Sequence, residues 1–242
     1  MNLFTRALTI FACSFAMVQM ANGQSCPTSV RVGTTCGGTT SCSPCSNSDC
    51  CHNCVGTVSV VAFETYTKRV LASEWVPCWG SQTGGMNSLQ AGAVAVRSYT
   101  VRRIAILASC HGPNYDICNN TCCQAYSTTQ SANTDNAVNN TLGYVLVSGT
   151  TIQLAEFARE QNNKGCGNGF AGTGGTWPCI SDPVCSGEGP DSGSHGRGMC
   201  QNGSARWATG LDMPMSTCNW GAPHGYGTKT WQQILNLYYP SW

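Results

Sequence analysis

The chain has 242 residues, with 12 Lys or Arg against 11 Asp or Glu, a formal net charge of +1 and only 10% charged residues. That balance offers no basic face, which argues against nucleic acid and against an anionic lipid surface as partners. The 18 Cys, 28 Gly and 10 Pro instead describe a turn-rich chain held together by sulfur.

Residues 1–23 read as an export signal: Arg6 supplies the positive charge, LTIFACSFAMVQM the apolar run, and Ala21, Asn22 and Gly23 small residues for cleavage. The run falls short of the ~20 residues that a spanning helix needs. The expected protein is therefore secreted and extracellular, with no membrane attachment once the signal is removed. Cys13 leaves with the signal, so 17 Cys remain in the mature chain. The odd number requires a free thiol, a partner chain, or a metal that takes some of the thiolates.

Residues 24–54 form a small cysteine-rich module, with Cys26, Cys36, Cys42, Cys45, Cys50, Cys51 and Cys54 set among Ser, Thr, Gly and Asn. It has almost no apolar residues for a core, so covalent links are expected to hold it. Cys42-x-x-Cys45 and Cys51-x-x-Cys54 with His52 imitate a zinc pattern. An oxidising compartment favours disulfides there.

Residues 55–242 are long enough for one α+β domain with a real core. The β-branched and aromatic segment 55–66 reads as one or two strands. A short helix over residues 67–75 is expected to stop before Pro77, because the residue preceding Pro is pushed out of helical geometry. Next comes LQAGAVAVRSYTVRRIAILA, rich in Ala, Val, Leu and Ile and free of Pro, which predicts a long buried helix with Asn87 or Ser88 as N-cap. Residues 110–124 are a loop crowded with sulfur. Residues 143–154 predict a hairpin turning at Ser148-Gly149, residues 165–193 a Gly- and Cys-rich loop, and a final helix runs from near Lys229 to before Pro240.

One acidic residue stands in a setting that looks chemical. Glu74 lies between Val70, Leu71 and Ala72 and the run Trp75, Val76, Pro77. Apolar neighbours disfavour the charged carboxylate and raise its pKa. A carboxylic acid still protonated near neutral pH can protonate a glycosidic oxygen. Asp116, Asp135, Glu156, Asp182 and Asp191 are all distant in sequence, so a two-carboxylate hydrolase is not evident. The structural alternative is a helix-end carboxylate paired with Arg97 or Arg103.

The segments Ser73-Glu74-Trp75-Val76-Pro77 and Ala93-Val94-Ala95-Val96-Arg97-Ser98-Tyr99 resemble the S-E-M-P and A-V-A-A-R-T-Y signatures of the SpoIID/LytB family of stage II sporulation proteins and amidase enhancers. Ser194-His195-Gly196-Arg197-Gly198-Met199-Cys200-Gln201 resembles that family's G-H-G-V-G-M-S-Q, and Ile234-Leu235-Asn236-Leu237-Tyr238-Tyr239-Pro240 its ending. The resemblance implies a SpoIID-like catalytic domain, preceded by the cysteine-rich module. It also implies cleavage of peptidoglycan glycan strands by a lytic transglycosylase with Glu74 as general acid and base. That chemistry needs one carboxylate and no cofactor.

Under the same resemblance, Arg97 is a fork donor to a muramyl carboxylate or the charge that orients Glu74, with a structural ion pair as the alternative, and Tyr99 packs or lines the cleft. His195 and Gln201 are expected to hydrogen-bond sugar hydroxyls or N-acetyl groups, with a buried, satisfied imidazole as the alternative for His195. The family's usual Gln is replaced by Gly92. Some relatives carry a zinc-associated trio that maps on His111, Cys118 and Cys123, a donor set suited to a structural zinc, with disulfides as the competing use of the same sulfur. The alternatives in function are a non-catalytic wall-binding amidase enhancer and a cysteine-rich structural protein. Asn119, Asn139 and Asn202 head glycosylation sequons, the third of them inside the second signature.

Overall fold

The structure, a computed structural model, describes residues 10–12, 26–34, 57–111, 115–119, 123–160, 182–185, 198–214 and 216–240. At its centre is the helix α2, Met86–His111. Every residue from Ala91 to Thr100 is buried, so this stretch of helix must find packing partners on all faces. It packs against α1 (Phe63–Glu74), α3 (Ala132–Asn140), α4 (Gln201–Thr209), α5 (Trp231–Tyr238) and the strand β5 (Tyr144–Ser148). Ala91, Ala93 and Ala95 let those neighbours approach closely.

Short strands complete the mixed α and β architecture. β2 (Ser29–Gly33) is the middle strand of a three-stranded sheet, antiparallel to β3 (Val58–Ala62) and parallel to β4 (Ile117–Cys118). β1 (Ile10–Ala12), β5 and β6 (Thr151–Ile152) form a second sheet, and β7 (Phe157–Ala158) pairs in parallel with β8 (Met199–Cys200).

The predicted long helix, the hairpin and the terminal helix are all present. Gly149 sits in the hairpin turn with φ of 59°, in the left-handed region that a glycine enters without a Cβ clash. α5 opens with a capping box, in which the Thr230 hydroxyl accepts from the Gln233 N–H and the Gln233 side chain accepts from the Thr230 N–H.

Three expectations change. The helix α1 starts at Phe63, taking residues that read as strand, because Phe63, Tyr66 and Val70 fall on one buried helical face. Asn87 does not cap α2 in the expected way. Its Oδ1 accepts from the Trp231 N–H at 3.1 Å, in the first turn of α5, while Ser88 hydrogen-bonds Ser204 on α4 at 2.6 Å. Part of the expected amino-terminal module also belongs to the body. Val30 and Val32 of β2 are fully buried in the core, and Arg31 is paired with Asp116 beside β4 at 2.5 Å.

Most of the cysteine-rich stretch, residues 35–54, lies outside the described residues. Of the expected leader, Ile10–Ala12 lies along β5 with Ile10 opposite Leu146. Among the described residues no helix is long and apolar enough to cross a membrane.

Candidate active site

Glu74 is the last residue of α1. The helix stops there because Trp75 and Val76 turn extended ahead of Pro77, which opens a 3-10 turn, Pro77–Ser81. Cys78 in that turn is joined to Cys218 by a disulfide. The Trp75 indole folds back into the core and donates from Nε1 to Ser204 Oγ at 3.3 Å. Ser204 Oγ in turn lies 2.6 Å from Ser88 Oγ and donates to the Gln201 carbonyl at 2.6 Å. This buried chain fixes the end of α1, the start of α4 and α2 relative to one another.

The carboxylate of Glu74 stands half-buried between two donors. Oε1 accepts from the Ala125 N–H at 2.5 Å and Oε2 from Gln201 Nε2 at 3.1 Å. Gln201 Nε2 also reaches the Glu74 carbonyl at 2.9 Å, so one amide grips both ends of the residue. Gln201 is the first residue of α4, 127 positions further along the chain. Burial raises the Glu74 carboxyl above its ordinary value, and the two hydrogen bonds oppose that rise without cancelling it.

Trp75 and Tyr66 each belong to a group of packed aromatic rings. The Trp75 and Phe157 rings meet edge-on at 4.9 Å between centroids, and Tyr99 is tilted against Phe157 at 6.0 Å. Tyr66 stacks on Tyr126 at 5.3 Å. Its hydroxyl donates to Gln124 Oε1 at 3.2 Å, an oxygen that also accepts from Thr100 at 2.8 Å. Burial, with Tyr99, Glu74 and Tyr126 nearby, holds the Tyr66 phenol well above its ordinary pKa. Ser73 Oγ, on the neighbouring position of α1, is 3.0 Å from Ser127 Oγ.

The structure brings Gln201 to Glu74 and leaves other expected residues elsewhere. Arg97 is fully buried, and its guanidinium is used inside the fold. It pairs with Glu64 at 2.8 Å and donates to Thr141 Oγ1 at 3.1 Å and to the Val138 carbonyl at 2.6 Å. The expected role on substrate or on Glu74 gives way to the alternative, a structural ion pair, here an interior tie between α1, α2 and the end of α3. Its fork geometry suits three simultaneous partners that a water-filled cleft would not supply. Tyr99 is a packing residue with little exposure. His195 lies outside the described residues.

The sulfur-rich loop is also corrected. Cys118 and Cys123 form a disulfide, which removes both thiolates from the donor set read for zinc. His111 closes α2, and its side chain lies outside the described residues. Among the described residues of the loop, no thiolate remains to hold a zinc ion. Asn202, head of the third sequon, is fully buried, with Nδ2 on the Arg159 carbonyl at 3.0 Å and Oδ1 accepting from the Ser216 N–H at 2.9 Å. A glycan there is incompatible with the fold.

Sequence reasoning missed Ala125, Tyr126 and Gln124. They directly follow the sulfur-rich loop, and a backbone N–H such as that of Ala125 carries no side-chain signal in the sequence. The model of the SpoIID family, described as Stage II sporulation protein, matches residues 52–147. The matched stretch holds Glu74, Arg97, Tyr99 and Ala125 and stops before Gln201. No curated protein matches the chain.

Proposed function

Taking as premise that residues 52–147 form a domain of the SpoIID family, a family with cell-wall-related roles, we propose that the protein is exported and cleaves peptidoglycan glycan strands as a lytic transglycosylase with Glu74 as general acid and base. The observation that carries this reading is the Glu74–Gln201 contact. A half-buried carboxyl with a raised pKa is held in one orientation by an amide from a distant helix.

The proposed reaction needs one carboxyl group. Oε1 is held by the short bond from Ala125, so Oε2, with the longer bond, is the oxygen that carries the proton. That proton passes to the glycosidic oxygen as the bond to the sugar C1 breaks. The carboxylate left behind then accepts the proton of the same sugar's primary hydroxyl, whose oxygen closes on C1 to give an anhydro ring. Among the described residues the polar partners of Glu74 are Gln201 and the Ala125 N–H, and no carboxylate is among them. Asp182, a residue that a hydrolytic scheme would recruit, is fully buried and accepts from Val184 N–H, Trp207 Nε1 and the Tyr238 hydroxyl.

A non-catalytic, wall-binding role is the second reading. It is favoured by the hydrogen bonds that already occupy both carboxylate oxygens, as in a static helix anchor. Incubating the mature protein with purified glycan strands in heavy-oxygen water decides between them. Anhydro-muramic ends without label support the transglycosylase. Labelled reducing ends would mean hydrolysis, and intact strands that co-sediment with the protein would leave the binding role.

A further inference from the structure

A second buried polar cluster sits at the start of α4. The Cys185 and Cys200 sulfurs and a Glu160 carboxylate oxygen lie within 4.8 Å of one another. Cys185 Sγ donates to Glu160 Oε2 at 3.1 Å and Cys200 Sγ to the same oxygen at 3.3 Å. Arg206 holds that carboxylate from the other side, Nη2 to Oε1 at 2.8 Å and Nη1 to Oε2 at 3.2 Å. All four side chains are buried.

Three observations decide what such a cluster does. Arg206 already neutralises Glu160 through both oxygens, so a metal ion among these atoms would face a guanidinium on its only carboxylate ligand. The chain already joins Cys78 to Cys218 and Cys118 to Cys123, so its folding compartment oxidises neighbouring sulfur. Finally, Cys185 lines a cleft of about 430 Å³ with Pro183, Val184, Arg206 and Met213, while Cys200 is fully buried, so an oxidant reaches the pair as the chain folds.

We propose that Cys185 and Cys200 are a redox pair that closes as a further disulfide and clamps residues 182–185 onto the start of α4. One thiolate attacks the sulfur of a low-molecular-weight disulfide, and one thiol of that oxidant leaves. The second cysteine then attacks the mixed disulfide and expels the other. Two protein thiols become one S–S bond, and the oxidant is reduced to two thiols. Burial and the nearby Glu160 and Asp182 raise the Cys185 thiol well above its ordinary value, so exchange is slow in the folded protein and the bond forms during folding. Glu160 loses two sulfur donors on closure and keeps both bonds from Arg206.

The clamp has a consequence for the site. Gln201, which grips Glu74, follows Cys200 directly, and Asp182 in the clamped segment accepts from Trp207 of α4 and Tyr238 of α5. Closing the pair therefore fixes the helix start that orients Glu74. This last step rests on the proposed function, whereas the disulfide itself does not.

Peptide mapping of the full secreted chain, alkylated under denaturing conditions without reduction, is the test. The expected result is one linked pair of peptides containing Cys185 and Cys200, which glutathione buffers open with a fall in melting temperature. Alkylation of both residues, pairing of either with another cysteine, or one zinc per chain released with these thiols by a chelator would each overturn the proposal. Cys200→Ser keeps a capping oxygen for the Gly203 N–H and should leave Cys185 alkylatable, with a lower melting temperature under oxidising conditions. An unchanged melting temperature would also count against the clamp. If the variant does not fold, mapping of the wild type still decides. On glycan strands, opening the pair should slow cleavage several-fold. A wild type with no cleavage at all would refute the proposed function and leave the mapping result standing.

Discussion

Gly92 and Trp75 fit each other. A Cβ built on Gly92 would lie 2.7 Å from Trp75 Cε2 and 2.9 Å from Leu71 Cδ1, closer than carbon atoms pack. Gly at position 92 and Trp at position 75 therefore depend on one another for space. The indole occupies the volume that any side chain at position 92 of α2 would enter. Gly92→Ala is expected to cost about 1–3 kcal/mol, the range for overpacking a dense core. In a double-mutant cycle with Trp75→Met the loss should be largely recovered, with a coupling energy of ~0.5–3 kcal/mol. Additive losses in urea denaturation would show that the two positions do not share the space.

Glu74→Gln keeps the side-chain shape and removes the acid. The expected outcome is a folded protein with glycan cleavage reduced by ~10²–10⁴-fold, the usual worth of general acid–base catalysis. Product release assayed by mass spectrometry, with circular dichroism as the folding control, measures both sides. Activity at the wild-type level would remove Glu74 from the chemistry.

The raised Glu74 carboxyl also fixes a sign for pH. The native state binds that proton more tightly than the unfolded chain, so between the ordinary carboxyl value and the raised one, wild-type stability falls as pH rises. Below that window the contribution is complete, and above it the charged form carries its desolvation cost. Melting curves of wild type and Glu74→Gln should therefore diverge to the disadvantage of the wild type as pH climbs through the window. The cleavage rate should fall over the same rise, because the acid that starts the reaction is lost. Parallel stability profiles would contradict the buried-acid assignment.

Arg97→Ala is expected to act on stability. It removes the donor to Thr141 Oγ1 and the shortest bond to the Val138 carbonyl, which keeps only the longer contacts from Thr141, and opens a hole in the core. The loss should be about 3 kcal/mol, at the low end for breaking a buried ion pair, since the Glu64 side chain keeps 28% exposure to water. Arg97→Lys recovers only part of this, because an ammonium cannot serve three directions in one plane. Urea denaturation measures the loss. A stable Arg97→Ala protein with a raised KM for glycan strands would return Arg97 to the substrate.

Chelation tests the sulfur loop. With Cys118 bonded to Cys123, the melting temperature should be unchanged by a chelator and should fall when that bond is reduced. Zinc retained by Cys118 and Cys123 in elemental analysis and peptide mapping would reverse the assignment.

The elements whose burial is written in local pattern can be read from the chain alone. α2 was legible because its apolar and small residues run around the whole helix. The hairpin at Gly149 and the helix before Pro240 were legible from their punctuation. Glu74 stood out because its neighbours along the chain are apolar, and the fold half-buries it. Only the tertiary structure decided the partners. Asn87 has the chemistry of a cap whichever helix it serves, and it serves α5. Arg97 has the chemistry of a ligand donor, yet Glu64, Thr141 and Val138 take its donors. Gln201 reaches Glu74, and Cys118 finds Cys123 rather than a metal. Hydrophobic period records how much water a position loses, whereas a hydrogen bond or a sulfur pair depends on which distant residue arrives within about 3 Å, and no local pattern encodes that.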